Sequence, residues 1–184
     1  IVHRLDKETT GLMVVARTLA AHKDLVEQLQ ERTVSRHYQA LVNGVMTAGG
    51  TIDEPIGRHP VDRKRMAVND RGREAITHYR VNRRFPAHTL VDVKLETGRT
   101  HQIRVHMNHI HYPIVGDPVY GGRNRFPAGC SEQQREVISA FSRQALHARE
   151  LTIIHPQTGE EISWEAPLPD DYVELLDVLG SSGE

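Results

Sequence analysis

Asp6 stands in the run His3-Arg4-Leu5-Asp6-Lys7-Glu8-Thr9-Thr10-Gly11, just ahead of the apolar stretch Leu12–Ala16. A carboxylate flanked by Arg4 and Lys7 suits a nucleophile or an electrostatic stabiliser better than a general acid. The plainer alternative, an ion-paired surface loop, stays open on the residues alone. Tyr38 lies in Arg36-His37-Tyr38-Gln39-Ala40-Leu41-Val42, where alternation puts Tyr38, Ala40 and Val42 on one strand face. It is either a core residue with a satisfied hydroxyl or a ring that stacks on a base and moves a proton. The densest segment is Leu95-Glu96-Thr97-Gly98-Arg99-Thr100-His101-Gln102-Ile103-Arg104-Val105-His106-Met107. A strand ends there at a Thr-Gly turn and a helix begins, with His101, Gln102 and Arg104 near its first turn. Helix starts present free N–H groups to anions. Arg104 adjoins the core residue Ile103, so its guanidinium is partly desolvated and needs a partner, best a carboxylate. The residues do not say which carboxylate.

Two other patterns carry less. His101, His106, His109 and His111 invite a metal, but their offsets of five, three and two do not put three of them on one helical face. No His-Glu-x-x-His pattern or nearby cysteine pair supports them, so no metal is expected. Gly116-Asp117-Pro118-Val119-Tyr120-Gly121-Gly122 lacks the Gly-Lys-Ser/Thr ending of a phosphate loop. It reads as a tight structural loop, which argues against nucleotide hydrolysis.

These side chains need elements to hold them. Leu12–Ala16 is read as a short strand, and Thr18 as the cap of a helix over about Leu19–Arg32. His37–Asn43 is read as a strand and Thr51–Pro55 as extended. Residues 57–73 form a loop or loose hairpin, followed by strands Ala75–Phe85 and Thr89–Glu96 around Pro86-Ala87-His88. Helices are expected over Thr100–Ile110 and Glu132–Arg143. A hairpin of Leu151–His155 and Glu161–Glu165 comes next, then a last helix, Tyr172–Leu179, capped by Asp170. Long strands with few helices between them point to an α+β fold with a mixed or antiparallel sheet.

Composition narrows the partners. The chain has 184 residues, 38% apolar and 26% charged, the size of one large domain or a domain with an appendage. Its longest apolar run is far short of a membrane helix. A single cysteine, Cys130, makes no internal disulfide, so a reducing cytoplasm is the simplest compartment. The net charge of −1 hides an asymmetry. Residues 151–184 hold eight acids and no Lys or Arg, so the first 150 residues carry all 23 cations against 16 acids, a net of +7. Arg58, Arg63, Lys64, Arg65, Arg71 and Arg73 crowd one stretch of them. Such a balance marks either nucleic-acid contact or a solvated basic loop beside a solvated acidic helix.

In order along the chain, His3-Arg4-Leu5-Asp6 with Thr10-Gly11, Arg36-His37-Tyr38-Gln39-Ala40, and Gly98-Arg99-Thr100-His101-Gln102-Ile103-Arg104-Val105-His106 resemble the three motifs of the RluA-type pseudouridine synthases. Pro113–Gly116-Asp117, Leu146-His147-Ala148 and His155-Pro156 continue the match. Gly116–Gly129 and Arg143–Ala148 are similar, within that family, to enzymes of the ribosomal large subunit. The resemblance implies a mixed, mostly antiparallel sheet with flanking helices and a central RNA-binding cleft, a catalytic domain over residues 1–179, and a tail over 180–184. It implies isomerisation of uridine to pseudouridine in 23S ribosomal RNA, in helix 69, free or within the pre-50S particle, by a cytoplasmic monomer that needs no cofactor. By resemblance, Asp6 attacks or stabilises the ribose C1′ (or, in an older scheme, the uracil C6), Tyr38 packs on the base, and Arg104 pairs with Asp6. Arg4 fills the gap in the RNA stack and Leu146 lines the pocket. Arg58, Arg63, Lys64, Arg65, Arg99, His101 and Gln102 are expected to contact RNA. Members of the family carry further sequence ahead of the His-Arg-Leu-Asp motif, often with an S4-type domain, and the chain, opening at Ile1, has the look of a piece without it. A non-catalytic RNA-binding or assembly factor on the same scaffold is the alternative, disfavoured because a pure binder has no need of Asp6, Tyr38 and Arg104 together.

Overall fold

Capping and alternation explain most of the elements in the computed structural model, which describes residues 1–181. The Thr18 hydroxyl accepts from the Ala21 N–H at 3.1 Å and starts helix α1, Leu19–Gln30. Ser131 and Gln134 form a capping box at the head of α3, Glu132–Ala140. Helix α2, Gln102–His109, follows a chain reversal at His101, and α4 spans Asp170–Gly180. Asp170 does not cap α4: Pro169 holds the cap position, and Asp170 and Asp171 lie in the first turn, where their charge suits the free N–H groups. Of the expected tail, Gly180 closes α4, and Ser182–Glu184 lie outside the described residues.

One sheet organises the chain. Its strands are β1 (Thr10–Gly11), β2 (Ser35–Asn43), β3 (Gly50–Asp53), β6 (Ile76–Arg84), β7 (His88–Leu95), β8 (Leu146–Ile154) and β9 (Glu161–Glu165). Between β3 and β6 lie β4 (Ile56–Arg58) and β5 (Met66–Val68), which pair with each other as a separate small hairpin within the basic stretch. The order of the large sheet is β1-β8-β2-β7-β6-β3, antiparallel except for the parallel pair β1–β8. This is the mixed, mostly antiparallel α+β architecture expected from the sequence. The outer edge of β8 is shared: His147 and Ala148 take β1, while Glu150–Ile154 take β9.

Two expectations about strands change. Leu12–Ala16 is not a strand, since the ladder stops at Gly11. Gly11 sits at φ +107, and a Cβ there would come within 2.1 Å of the Ala148 carbonyl oxygen, so only glycine fits where β1 leaves the sheet. Beyond it the apolar alternation packs without pairing. Leu12, Val14 and Ala16 turn onto Leu25, Leu151 and Ile153, while Met13 and Val15 face solvent. Each such buried leucine stabilises the fold by about 2 kcal/mol. Strand β8, in turn, begins five residues earlier than its apolar pattern predicts. His147, Arg149 and Glu150 obscure it, although His147 is buried.

Candidate active site

The loop that carries Asp6 is held at both ends. Thr10 donates its hydroxyl to Nδ1 of His147 at 2.8 Å, while the His147 Nε2–H donates to the Ala166 carbonyl, an assignment that fixes the neutral tautomer. Burial lowers the His147 pKa, in keeping with a neutral ring. Gln144 donates to the Lys7 carbonyl at 2.7 Å and to the Thr9 hydroxyl at 3.0 Å. His3 accepts the Val14 N–H on Nε2 at 3.0 Å, and burial, followed by the nearby Arg36 charge, lowers its pKa to about 4. The ring is therefore neutral at pH 7 and free to accept.

Helix α2 supplies the partner. Gln102 uses all four of its hydrogen-bonding positions: its carbonyl accepts from the Thr97 hydroxyl and the Arg99 N–H, and its amide donates to the Ile76 carbonyl and the Thr77 hydroxyl. Gln102 thus fixes the helix start against β6, and it also borders the cavity beside His101. The Thr77 hydroxyl donates to Nδ1 of His106, whose other nitrogen donates to the Glu54 carbonyl. His106 is fully buried, whereas His109 and His111 are exposed, and among the described residues no three metal-binding side chains gather.

Anchored in this way, Arg104 is 4% exposed and meets two carboxylates. Its Nε and Nη2 donate to the two oxygens of Asp117 at 2.7 and 2.9 Å, and its Nη1 donates to Asp6 at 3.2 Å. Burial alone would lower the Arg104 pKa, but the hydrogen bonds and charge of Asp117, with those of Asp6, raise it overall. Burial likewise works against the Asp117 carboxylate, yet Arg104 and the N–H groups of Tyr120 and Val119 hold its pKa below the usual range. The fork-to-fork pair with Asp117 leaves one arm of the guanidinium to aim the Asp6 carboxylate.

Asp117 and Tyr120 are the site residues that sequence reasoning missed, because the glycine-rich run around them carries no charge pattern. Gly116 was the available signal, since at φ +72 its Cβ would lie 2.3 Å from the Arg143 carbonyl. The Tyr120 ring lies 5.1 Å from the Arg104 guanidinium and 5.2 Å from that of Arg65. Its hydroxyl accepts the Met66 N–H at 2.9 Å and donates to His101 Nδ1 at 2.9 Å. His101 is held in the left-handed region, at φ 57 and ψ 24, an unusual conformation for a residue with a side chain. Burial lowers its pKa, against the pull of the Asp6 charge.

Asp6, Tyr38, Leu146, Arg4, Arg99 and His101 all border one open cavity of about 490 Å³. Tyr38 is 8% exposed, and burial raises the pKa of its phenol, so it is a neutral hydroxyl. Of the basic stretch, only Arg73 reaches this cavity. Arg58, Arg63 and Lys64 stay on the exposed hairpin, where Arg58 donates to the Arg63 carbonyl, and Arg65 touches the site through Tyr120. Arg32 and Arg36 line the cavity unanticipated.

Similar proteins were found at the levels of family, sequence and fold. A model of the RNA pseudouridylate synthase family matches residues 1–109. Ribosomal large subunit pseudouridine synthase D of Pseudomonas aeruginosa is 62% identical over all 184 residues, which cover 58% of that protein. The protein of the same name from Escherichia coli K12 is 57% identical, and the chain covers 56% of it. The chain thus spans little more than half the length of these relatives. Among solved structures, human RNA pseudouridylate synthase domain containing 4 matches 97% of this chain and 74% of its own, at 31% identity and a TM-score of 0.75. Human RNA pseudouridylate synthase domain containing 1 matches 91% and 68%, at 29% identity and a TM-score of 0.72.

Proposed function

This chain belongs to the RNA pseudouridylate synthase family, and we propose that it isomerises specific uridines to pseudouridine in large-subunit ribosomal RNA, in helix 69, with Asp6 as the nucleophile. The observation that carries this reading is the Asp6 carboxylate held by a buried arginine that a second carboxylate fixes from behind, at the wall of a cavity that also holds Tyr38.

The chemistry needs a base out of its stack, and flipping it costs a few kcal/mol. Stacking on Tyr38 offsets part of that cost, and Arg4, exposed at the cavity mouth, fills the gap left behind. Asp6 then attacks the ribose C1′ and the glycosidic bond breaks. The uracil anion turns, its C5 bonds to C1′ as the bond from C1′ to Asp6 breaks, and the C5 proton leaves while N1 takes one up, with the Tyr38 hydroxyl placed to take part in the transfer. Residues 1–179 are the catalytic domain in this proposal. The protein acts as a cytoplasmic monomer on free RNA or the pre-50S particle, and Arg99 and the hairpin cations hold phosphates. Among the described residues no helix is long and apolar enough to cross a membrane.

The test is release of tritium from C5-labelled large-subunit RNA by the chain and by Asp6→Asn. Release by the parent alone supports the isomerase and its nucleophile. Equal release by both removes Asp6 from the role, and tight binding without release by either favours a non-catalytic RNA binder.

A further inference from the structure

Arg36 precedes Tyr38 by two residues on β2, so the two side chains share a face, about 7 Å apart along the strand. Arg36 is 6% exposed and lines the same cavity as Asp6. Its Nη2 donates to the Glu96 carbonyl at 3.1 Å, while its Nε has no partner. No carboxylate among the described residues lies within ion-pair distance. The Glu96 side chain, which borders the same cavity, is taken by Arg32 and His78. A Cβ on Gly98 would come within 2.7 Å of Arg36 Nη1, so the guanidinium packs closely over this glycine.

A desolvated cation without a counter-ion is costly, and a fold keeps one where something else supplies the charge. Burial pushes the Arg36 guanidinium below its ordinary pKa, and the charge of Arg99 adds to the depression. Arginine remains protonated at neutral pH all the same. Arg4, Arg32, Arg73 and Arg99 border the cavity too, so this wall carries an excess of positive charge.

We propose, building on the function given above, that Arg36 and Arg99 receive a backbone phosphate of the flipped nucleotide itself while Tyr38 holds its base. A uracil carbonyl would hydrogen-bond but supply no charge. A phosphodiester supplies a full negative charge and two oxygens suited to a guanidinium. The spacing along β2 matches the reach from a base to its own phosphate. Arg36 would then set the depth to which the nucleotide enters, and so bring C1′ to Asp6.

The experiment is a binding cycle on a ribosomal stem-loop containing the modified uridine. A methylphosphonate, which removes the charge, replaces each of the two flanking phosphates in turn. The parent chain and Arg36→Met are compared. At one of the two positions the neutral phosphate should weaken the parent about tenfold. Arg36→Met should lose a similar factor on unmodified RNA and lose little more on the neutral RNA. Losses that multiply at both positions would overturn the inference. Arg36→Met should also melt no lower than the parent; a clearly lower melting temperature with unchanged RNA affinity would make Arg36 a structural residue and sink the idea. Should Arg36→Met not fold, Arg36→Lys carries the same cycle, with partial retention of affinity expected. A parent that neither binds nor isomerises the unmodified stem-loop would defeat the proposed function along with this inference. A parent that isomerises it while the losses multiply would defeat the inference alone.

Discussion

Arg104 and Arg36 are buried almost equally, at 4% and 6% exposure, yet they stand in opposite electrostatic situations. Arg104 has two carboxylates and every arm occupied, whereas Arg36 has a carbonyl and an orphaned Nε. The first is complete in the resting protein, and what it does is aim Asp6. The second is complete only when charge arrives from outside. One cavity wall is thus built around its own counter-ions and the other around a missing one. Burial alone does not distinguish a structural arginine from a binding one, but the inventory of partners does.

The sharpest way to break this contrast is at the carboxylate that Arg104 aims. Asp6→Asn keeps the shape and removes the carboxylate proposed as nucleophile, so turnover should fall at least about a thousandfold, with RNA affinity within about twofold of the parent. Single-turnover tritium release and filter binding check the two halves. Next comes the pair itself. Arg104→Met strands Asp117 in the core and should cost about 3–5 kcal/mol of stability, a loss visible in thermal or urea unfolding. An unchanged melting temperature there would erase the distinction between the two arginines. A smaller effect is expected at Tyr120. Tyr120→Phe keeps the ring beside Arg104 but deprives the Met66 N–H and His101 of their partner. It should cost about 1 kcal/mol and lower kcat several-fold more than it raises KM. Equal changes in both constants would detach the hairpin from the catalytic centre.

The smallest effect is a pH slope. The folded pKa of His3, about 4, lies below its unfolded value of about 6.5. Between those values the unfolded chain binds the extra proton, so the His3 contribution is present above pH 6.5 and is lost as pH falls toward 4. The ring is partly open to solvent, which limits the loss to about 1 kcal/mol. His3→Gln should flatten the decline of melting temperature between pH 6.5 and 4.5. An unaltered slope would leave the decline to other buried histidines such as His88, whose pKa burial also lowers to about 4.

Legibility followed physical cause. Asp6, Tyr38 and Arg104 stand out because a charged or aromatic side chain beside core residues needs an explanation wherever it falls, but the residues alone leave the partner of Arg104 open and only the resemblance names Asp6. The sheet was readable from its long strands, although β2 is buried on both faces from Tyr38 onward and alternation alone could not show it. Asp117 and Tyr120 were hidden because their importance lies in partners distant in sequence. Leu12–Ala16 misled because alternation reports burial, and a chain can bury one face without a hydrogen-bonding neighbour. The density of the hairpin cations marks an exposed surface, while the cavity is lined by arginines scattered along the chain. Arg36 was in plain view beside Tyr38, but a sequence does not show that a guanidinium lacks a partner.

The parallel pairing of β1 with β8 has a consequence for the life of the protein before it is finished. Thr10 and His147, which pin the Asp6 loop, are separated by 137 positions. During synthesis the carboxylate leaves the ribosome well before the strand that positions it. Until then the loop has neither Ala148 nor Gln144 to hold it. A nascent chain of this kind carries the Asp6 carboxylate on an untethered leash until β8 pairs with β1.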